Sequence, residues 1–161
     1  MLNQSVWSRL GFQLDVVATI LADAPETVIT APGTGGSWSA HDHLAHLARM
    51  HEVLLERLGR ILREDAPGFS EYETEDDPEW PSWASLPTQE VLTRLQALRG
   101  ELLGVVRNLS DAQLDRRATH PGLGPLPVTA WLEAFCLQEG HHLHLAWARL
   151  AEAKRGAYRS G

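Results

Sequence analysis

Cysteine is nearly absent. The 161-residue chain holds one, Cys136, so no disulfide can form within it and a cysteine-rich zinc knuckle is excluded. Long hydrophobic runs are missing too. No segment approaches the roughly 20 apolar residues that a membrane-spanning helix needs. Basic charge is scarce: 14 Lys and Arg stand against 21 Asp and Glu, a formal net charge of −7. That balance argues against a nucleic-acid binder and against docking on an anionic membrane. The opening "MLNQSVWSRLGF" has no signal-peptide h-region and no cleavage site, so a cytoplasmic location is expected. No linker, repeat or low-complexity tract interrupts the chain, and residues 1–161 read as a single domain. An apolar share of 43% and a charged share of 22% suit a soluble domain with its own core.

What the chain does have is helical periodicity. Four long helices are predicted, and no convincing strand. The first runs from Asn3 to Asp23, with Val6, Leu10, Leu14, Val17 and Leu21 at helical spacing. The second opens at "WSAHDHL", where Ser39 and Asp42 form a capping-box pattern, and continues to about Leu62. The third runs from Thr88 to about Leu109. Ser110 and Gln113 cap a short helix after it. The fourth spans Val128 to Lys154, entered through the loop "THPGLGPLP". Residues 63–87 hold four prolines, too many for a helix interior. They read as a long acidic loop outside the bundle, solvated and pinned by Trp80 and Trp83; a lid is the sharper alternative. The fold class is therefore all-α, a four-helix bundle with long loops between helices.

The chain also has histidine where helix is expected. His141, His142 and His144 crowd into "QEGHHLHLAW", and His41, His43, His46 and His51 into "HDHLAHLARMHE". At 100° per residue, Trp131, Phe135, Gln138, His142 and Leu145 form the inward side of the fourth helix. Glu133, Gly140, His144, Ala151 and Lys154 form its solvent side, with His141 on the flank. On the second helix His43 points most inward, His46 lies at the boundary and His41 faces solvent. A buried imidazole needs a hydrogen bond or a metal, and two such helices can converge on one ion. Neutral imidazole suits zinc, nickel, iron or copper. Arg57 is a candidate for holding an anionic substrate group, a surface ion pair being the plainer reading. Cys136 reads as a small buried hydrophobe and not as a nucleophile.

The stretch "WSAHDHLAHL", the ordered helices and "THPGLGPLPVTAWLEA" resemble the DinB/YfiT-like family of metal-dependent enzymes. The resemblance covers nearly the whole chain. It implies a metal site of three histidines, the first at His46 and the other two four residues apart on the last helix. Here those two positions are Gln138 and His142. Gln138 is a degenerate third position, because an amide oxygen is a poor ligand beside imidazole; His141 or Glu139 is a substitute. The resemblance further implies a divalent metal, zinc or nickel, bound weakly or not at all. It implies thiol-dependent S-transferase or hydrolase chemistry on a small-molecule substrate, with a low-molecular-weight thiol as cofactor. Dimers are common in the family, so a homodimer is an expectation. The alternative is a non-catalytic bundle that binds a small molecule or serves a stress response with a degenerate metal site.

Overall fold

The structure, a computed structural model, describes residues 1–159, with side chains through 156. Its elements follow in order: α1 (Gln4–Phe12), a 3-10 turn (Gln13–Asp15), α2 (Val16–Leu21), α3 (Glu26–Ile29), α4 (Ala40–Arg63), α5 (Trp80–Ala84), α6 (Thr88–Arg107), α7 (Asp111–Leu114), β1 (Arg117–His120), β2 (Gly124–Pro127) and α8 (Val128–Arg159). The fold is the expected four-helix bundle, made by α1–α2, α4, α6 and α8. Helix α4 is its axis and packs against both α6 and α8. No helix among the described residues is long and apolar enough to cross a membrane.

Local chemistry sets the boundaries. Ser39 accepts from the Asp42 backbone N–H while the Asp42 carboxylate accepts from the Ser39 N–H at 2.8 Å, so both halves of the predicted capping box are present. The box at Ser110 and Gln113 forms as well. Each satisfies two backbone donors that a helix start leaves open.

Three expectations need correction. The first helix is broken, not continuous: Phe12 leaves helical geometry at φ −132°. The Gln13 side chain turns inward there to donate to the Cys136 carbonyl and to Glu139, both at 2.9 Å. The loop before α8 is a hairpin, with Arg117 opposite Pro127 and His120 opposite Gly124. Its turn rests on Gly124 at φ +73°, a conformation that costs glycine little. Residues 63–87, finally, lie against the bundle. Pro67 and Phe69 pair with Thr119 of β1. Asp77 is buried as a hub, receiving Arg49 Nε at 2.6 Å, Tyr72 Oη at 2.7 Å and the Glu79 N–H at 3.0 Å. Trp83 is buried, as the pinning role required, and donates to Glu52 at 3.0 Å. The Arg49 guanidinium also donates to Glu52. Helix α5, which the prolines seemed to forbid, forms because Pro81 sits in its first turn, where no backbone donor is lost.

Candidate metal centre

Three imidazoles meet beneath this cover. Helix α4 supplies His43 and His46, one turn apart and therefore on one face. Helix α8 supplies His142 from across the interface. His43 Nδ1 and His142 Nδ1 lie 3.1 Å apart, a hydrogen bond that one of them must donate. The rings of His46 and His142 are 4.4 Å apart, centre to centre. Aromatic rings enclose the group. Trp38 sits 5.3 Å from His43, 5.1 Å from His46 and 6.1 Å from His142, and Trp80 stacks on its outer face at 5.2 Å. Tyr72 flanks His46 at 5.9 Å. Trp38 precedes the Ser39 cap and meets the fourth helical residue, which is the geometry of a hydrophobic staple with an imidazole as partner. Trp38→Ala should therefore lower stability by about 2 kcal/mol, less than for a fully buried tryptophan because the ring is half-exposed. Urea unfolding measures this, and a loss under about 0.5 kcal/mol would mean that the ring merely lies on the surface.

Burial keeps the cluster uncharged. It pushes His46 down to about 3 and His43 and His142 to about 4, neighbouring imidazoles adding to the effect. His46 is the least satisfied of the three. Its Nδ1 lies 3.5 Å from the Thr74 hydroxyl, at the limit of a hydrogen bond. Its Nε2 is buried with no partner. A buried nitrogen left so is costly. A metal ion is one partner that would resolve that cost, and neutral imidazole is the form a metal binds. The donor chemistry thus fits a divalent cation. The arrangement is not a finished cage: among the described residues, no three His, Cys, Asp or Glu side chains already surround a common metal position.

The other predicted positions fall outside the cluster. Gln138 is exposed and makes no hydrogen bond to His46 or His142; it lines a small cavity one turn along α8. His141 is exposed, its ring 5.4 Å from that of His142. Arg57 lies over Phe69 and Trp131 and donates to the Ser70 carbonyl at 3.0 Å, with no carboxylate partner. Cys136 is buried, and its thiol is pushed up to about 11 by burial with Glu139 adding to it, which excludes an activated nucleophile.

One histidine contradicts the helical wheel, and a second, His51, is left unplaced by it. His41, expected in solvent, is buried against Thr88 at 2.9 Å and the Ala84 carbonyl at 3.2 Å, because α5 and the start of α6 cover that flank. His51 is fully buried, its Nδ1–H donating to the Leu47 carbonyl at 2.7 Å. That leaves its Nε2 to accept from Arg99 Nε at 3.1 Å. Arg99 also donates to the Leu10 carbonyl at 2.8 Å and pairs with Glu139. Glu139 was read as a substitute ligand. It is instead fully buried against Gln13 of the 3-10 turn, Arg99 of α6 and His51 of α4, with no hydrogen bond to His43, His46 or His142.

The DinB superfamily pattern matches residues 9–146, most of the chain. The chain belongs to the DinB superfamily. A relative from Oceanobacillus iheyensis, named "putative metal-dependent hydrolase", is 26% identical over 110 residues. That match covers 67% of this chain and 62% of the relative, so the chain spans less than two thirds of the relative's length. A solved structure of YfiT from Bacillus subtilis superposes with a TM-score of 0.73, covering 95% of this chain and 86% of that one. It is described as a "probable metal-dependent hydrolase with an unusual four-helix bundle topology". At 20% identity the likeness speaks for the fold.

Proposed function

We propose that this DinB-superfamily protein is a metal-dependent hydrolase whose divalent ion is held by His46 and His142, with His43 as the third imidazole. The observation that carries the reading is the buried, unpartnered His46 Nε2 in ring contact with His142. Zinc or nickel suits three neutral imidazoles. Such an ion, when bound, brings a water or a small thiol toward its anion near neutral pH. The rest falls to the chain. Thr74 orients the His46 ring through Nδ1. Trp38, Trp80 and Tyr72 limit the access of bulk water to the imidazoles. The Tyr72 hydroxyl is engaged by Asp77, and burial, followed by that bond, raises it well above its ordinary value. It therefore serves as a wall and not as a base. His43 must surrender its hydrogen bond with His142 before it can act as a ligand, so affinity should be modest. A thiol-dependent transferase would use the same centre with a thiol in place of water. Comparing hydrolysis with thiol-adduct formation separates the two.

Calorimetry of chelator-stripped protein with zinc and with nickel tests the site. One equivalent should bind. His46→Ala should weaken binding on the order of a hundredfold, about 2.7 kcal/mol, and His43→Ala by about tenfold. Gln138→Ala should leave it nearly unchanged. If Gln138→His tightens binding at least tenfold while His43→Ala does nothing, the third place belongs to position 138. No heat with either metal sinks the hydrolase reading in favour of a non-catalytic binding bundle.

A further inference from the structure

One helical turn from the imidazoles lies a cavity of about 50 Å³. Its floor is apolar: Met50 and Val53 continue the face of α4 that carries His46, and Phe135 comes from α8. Its polar groups come from three different elements, and all have spare donors. Arg57, from α4, is half-buried, held over the Phe69 and Trp131 rings, with one backbone carbonyl as its partner. His120, from β1, is fixed by the hairpin turn: the Gly122 and Leu123 N–H groups donate to its Nδ1 at 3.1 and 3.2 Å. With Nδ1 accepting, a neutral ring carries its proton on Nε2, and burial together with Arg57 holds His120 below its ordinary value. Trp131, from α8, is 4% exposed, and its indole N–H is buried without a partner. Gln138 stands exposed at the mouth, with no hydrogen bond among the described residues.

We propose that Arg57, His120, Trp131 and Gln138 form a subsite for a carboxylate of the small-molecule substrate, beside the imidazole cluster. Donors outnumber acceptors here, and the one full charge is a cation with no carboxylate in hydrogen-bond contact, Glu56 acting on it and Glu71 on His120 only through space. Each unmatched buried donor costs free energy that an oxyanion would return. The cavity is small, about 50 Å³, which suits a compact anion such as a carboxylate. A wider groove of about 580 Å³ shares Val53 and Arg57 with the cavity, and its wall carries Glu56, Glu71, Glu73, Asp76 and Asp77 against Arg49, Arg57 and Arg60. Arg49 is held by Asp77 and Arg60 by Glu64, so the carboxylates in excess favour a substrate whose body beyond the carboxylate is neutral or cationic. Gln138 thereby gains a role at the position where the family pattern places an imidazole: its amide N–H can donate to the anion.

The inference rests on the hydrolase reading only in calling the ligand a substrate, and metal-free protein tests it separately. Propionate, propionamide and inorganic phosphate are titrated at constant ionic strength, following the Trp131 indole N–H by NMR. Propionate should give a saturable shift, and propionamide a far weaker one. Arg57→Gln should raise the apparent Kd at least tenfold and Gln138→Leu about threefold, with the fold of both variants checked by circular dichroism. Equal responses to propionate and propionamide, no saturable shift, or an unchanged Kd in Arg57→Gln would overturn the proposal. Tighter binding of phosphate than of propionate would overturn the carboxylate assignment. Propionate binding in a protein that takes no metal would leave the subsite standing and remove the hydrolase.

Discussion

Arg99→Met should lower stability by about 3–5 kcal/mol, a large part of what a domain this size possesses. The residue is buried and satisfies three acceptors from three other helices: the Leu10 carbonyl on α1, His51 Nε2 on α4 and Glu139 on α8. Methionine fills similar volume, so the loss is electrostatic and not one of packing. Glu139 is 0% exposed. Without the guanidinium it keeps a hydrogen bond from Gln13 and no cation within contact. His51 lies 3.6 Å away, but burial, the largest cause of its native value of about 3, still opposes its charging once Arg99 is gone. An unpaired carboxylate in that position must take up a proton or unfold the bundle locally.

The partner substitution separates the pair from its setting. Glu139→Gln alone leaves a buried guanidinium facing an amide and should also be costly. The double variant Arg99→Met, Glu139→Gln removes both charges and should recover at least about half of the loss. Urea denaturation of all four proteins closes the cycle. A double variant as unstable as the sum of the singles would show that the two residues are not coupled. A loss below about 1 kcal/mol for Arg99→Met alone would mean that water reaches Glu139 readily.

That cluster also shows where the sequence stops being legible. The capping boxes at Ser39 and Ser110 are local patterns, since both partners lie within four residues, and they place α4 and α7 correctly. The inward side of α8 was harder. Trp131 and Phe135 are buried as expected, together with Leu132 and Cys136, but further along the buried side runs through Glu139, Leu143, Ala146 and Leu150, about one residue's rotation from Gln138 and His142. The charge of Glu139 broke the stripe on paper, and only a partner 40 residues away, Arg99, makes its burial tolerable. His43, the most inward histidine of its helix by the wheel, is indeed buried; what nothing in the sequence says is that His142 approaches it as closely as it does. Of the cover over the imidazoles, the pinning tryptophans are legible, but the Asp77 hub is not, because it is tertiary: Asp77 reaches Arg49 of α4 from a segment whose own pattern is that of a loop.

Acid should unfold the metal-free protein well before its carboxylates are fully protonated. His43, His46, His51 and His142 titrate in the folded chain near 3 to 4, against about 6.5 when unfolded. Between those values the unfolded chain binds protons that the folded chain refuses, so stability falls as pH falls through that window. Glu139 works the other way: burial raises it to about 7, so in the folded chain it binds a proton that its unfolded form releases down to about 4.5. Four imidazoles against one carboxyl leave a net slope in the acid-sensitive direction. One proton's imbalance is worth about 1.4 kcal/mol per pH unit, so the loss from pH 6.5 to 5 should be at least about 2 kcal/mol. Urea midpoints at pH 7, 6 and 5, with chelator present, measure it. His51→Gln should flatten the curve only if the variant keeps its fold, whereas His142→Gln removes a cluster imidazole from a half-exposed position and is the cleaner probe. A midpoint that rises or stays level between pH 7 and 5 would mean that the imidazoles are hydrated and not held neutral by their burial. Zinc at saturating concentration should raise the midpoint at pH 7 and keep most of that gain down to pH 5, because the folded imidazoles stay neutral until about pH 4 and only below that do protons compete for the same nitrogens.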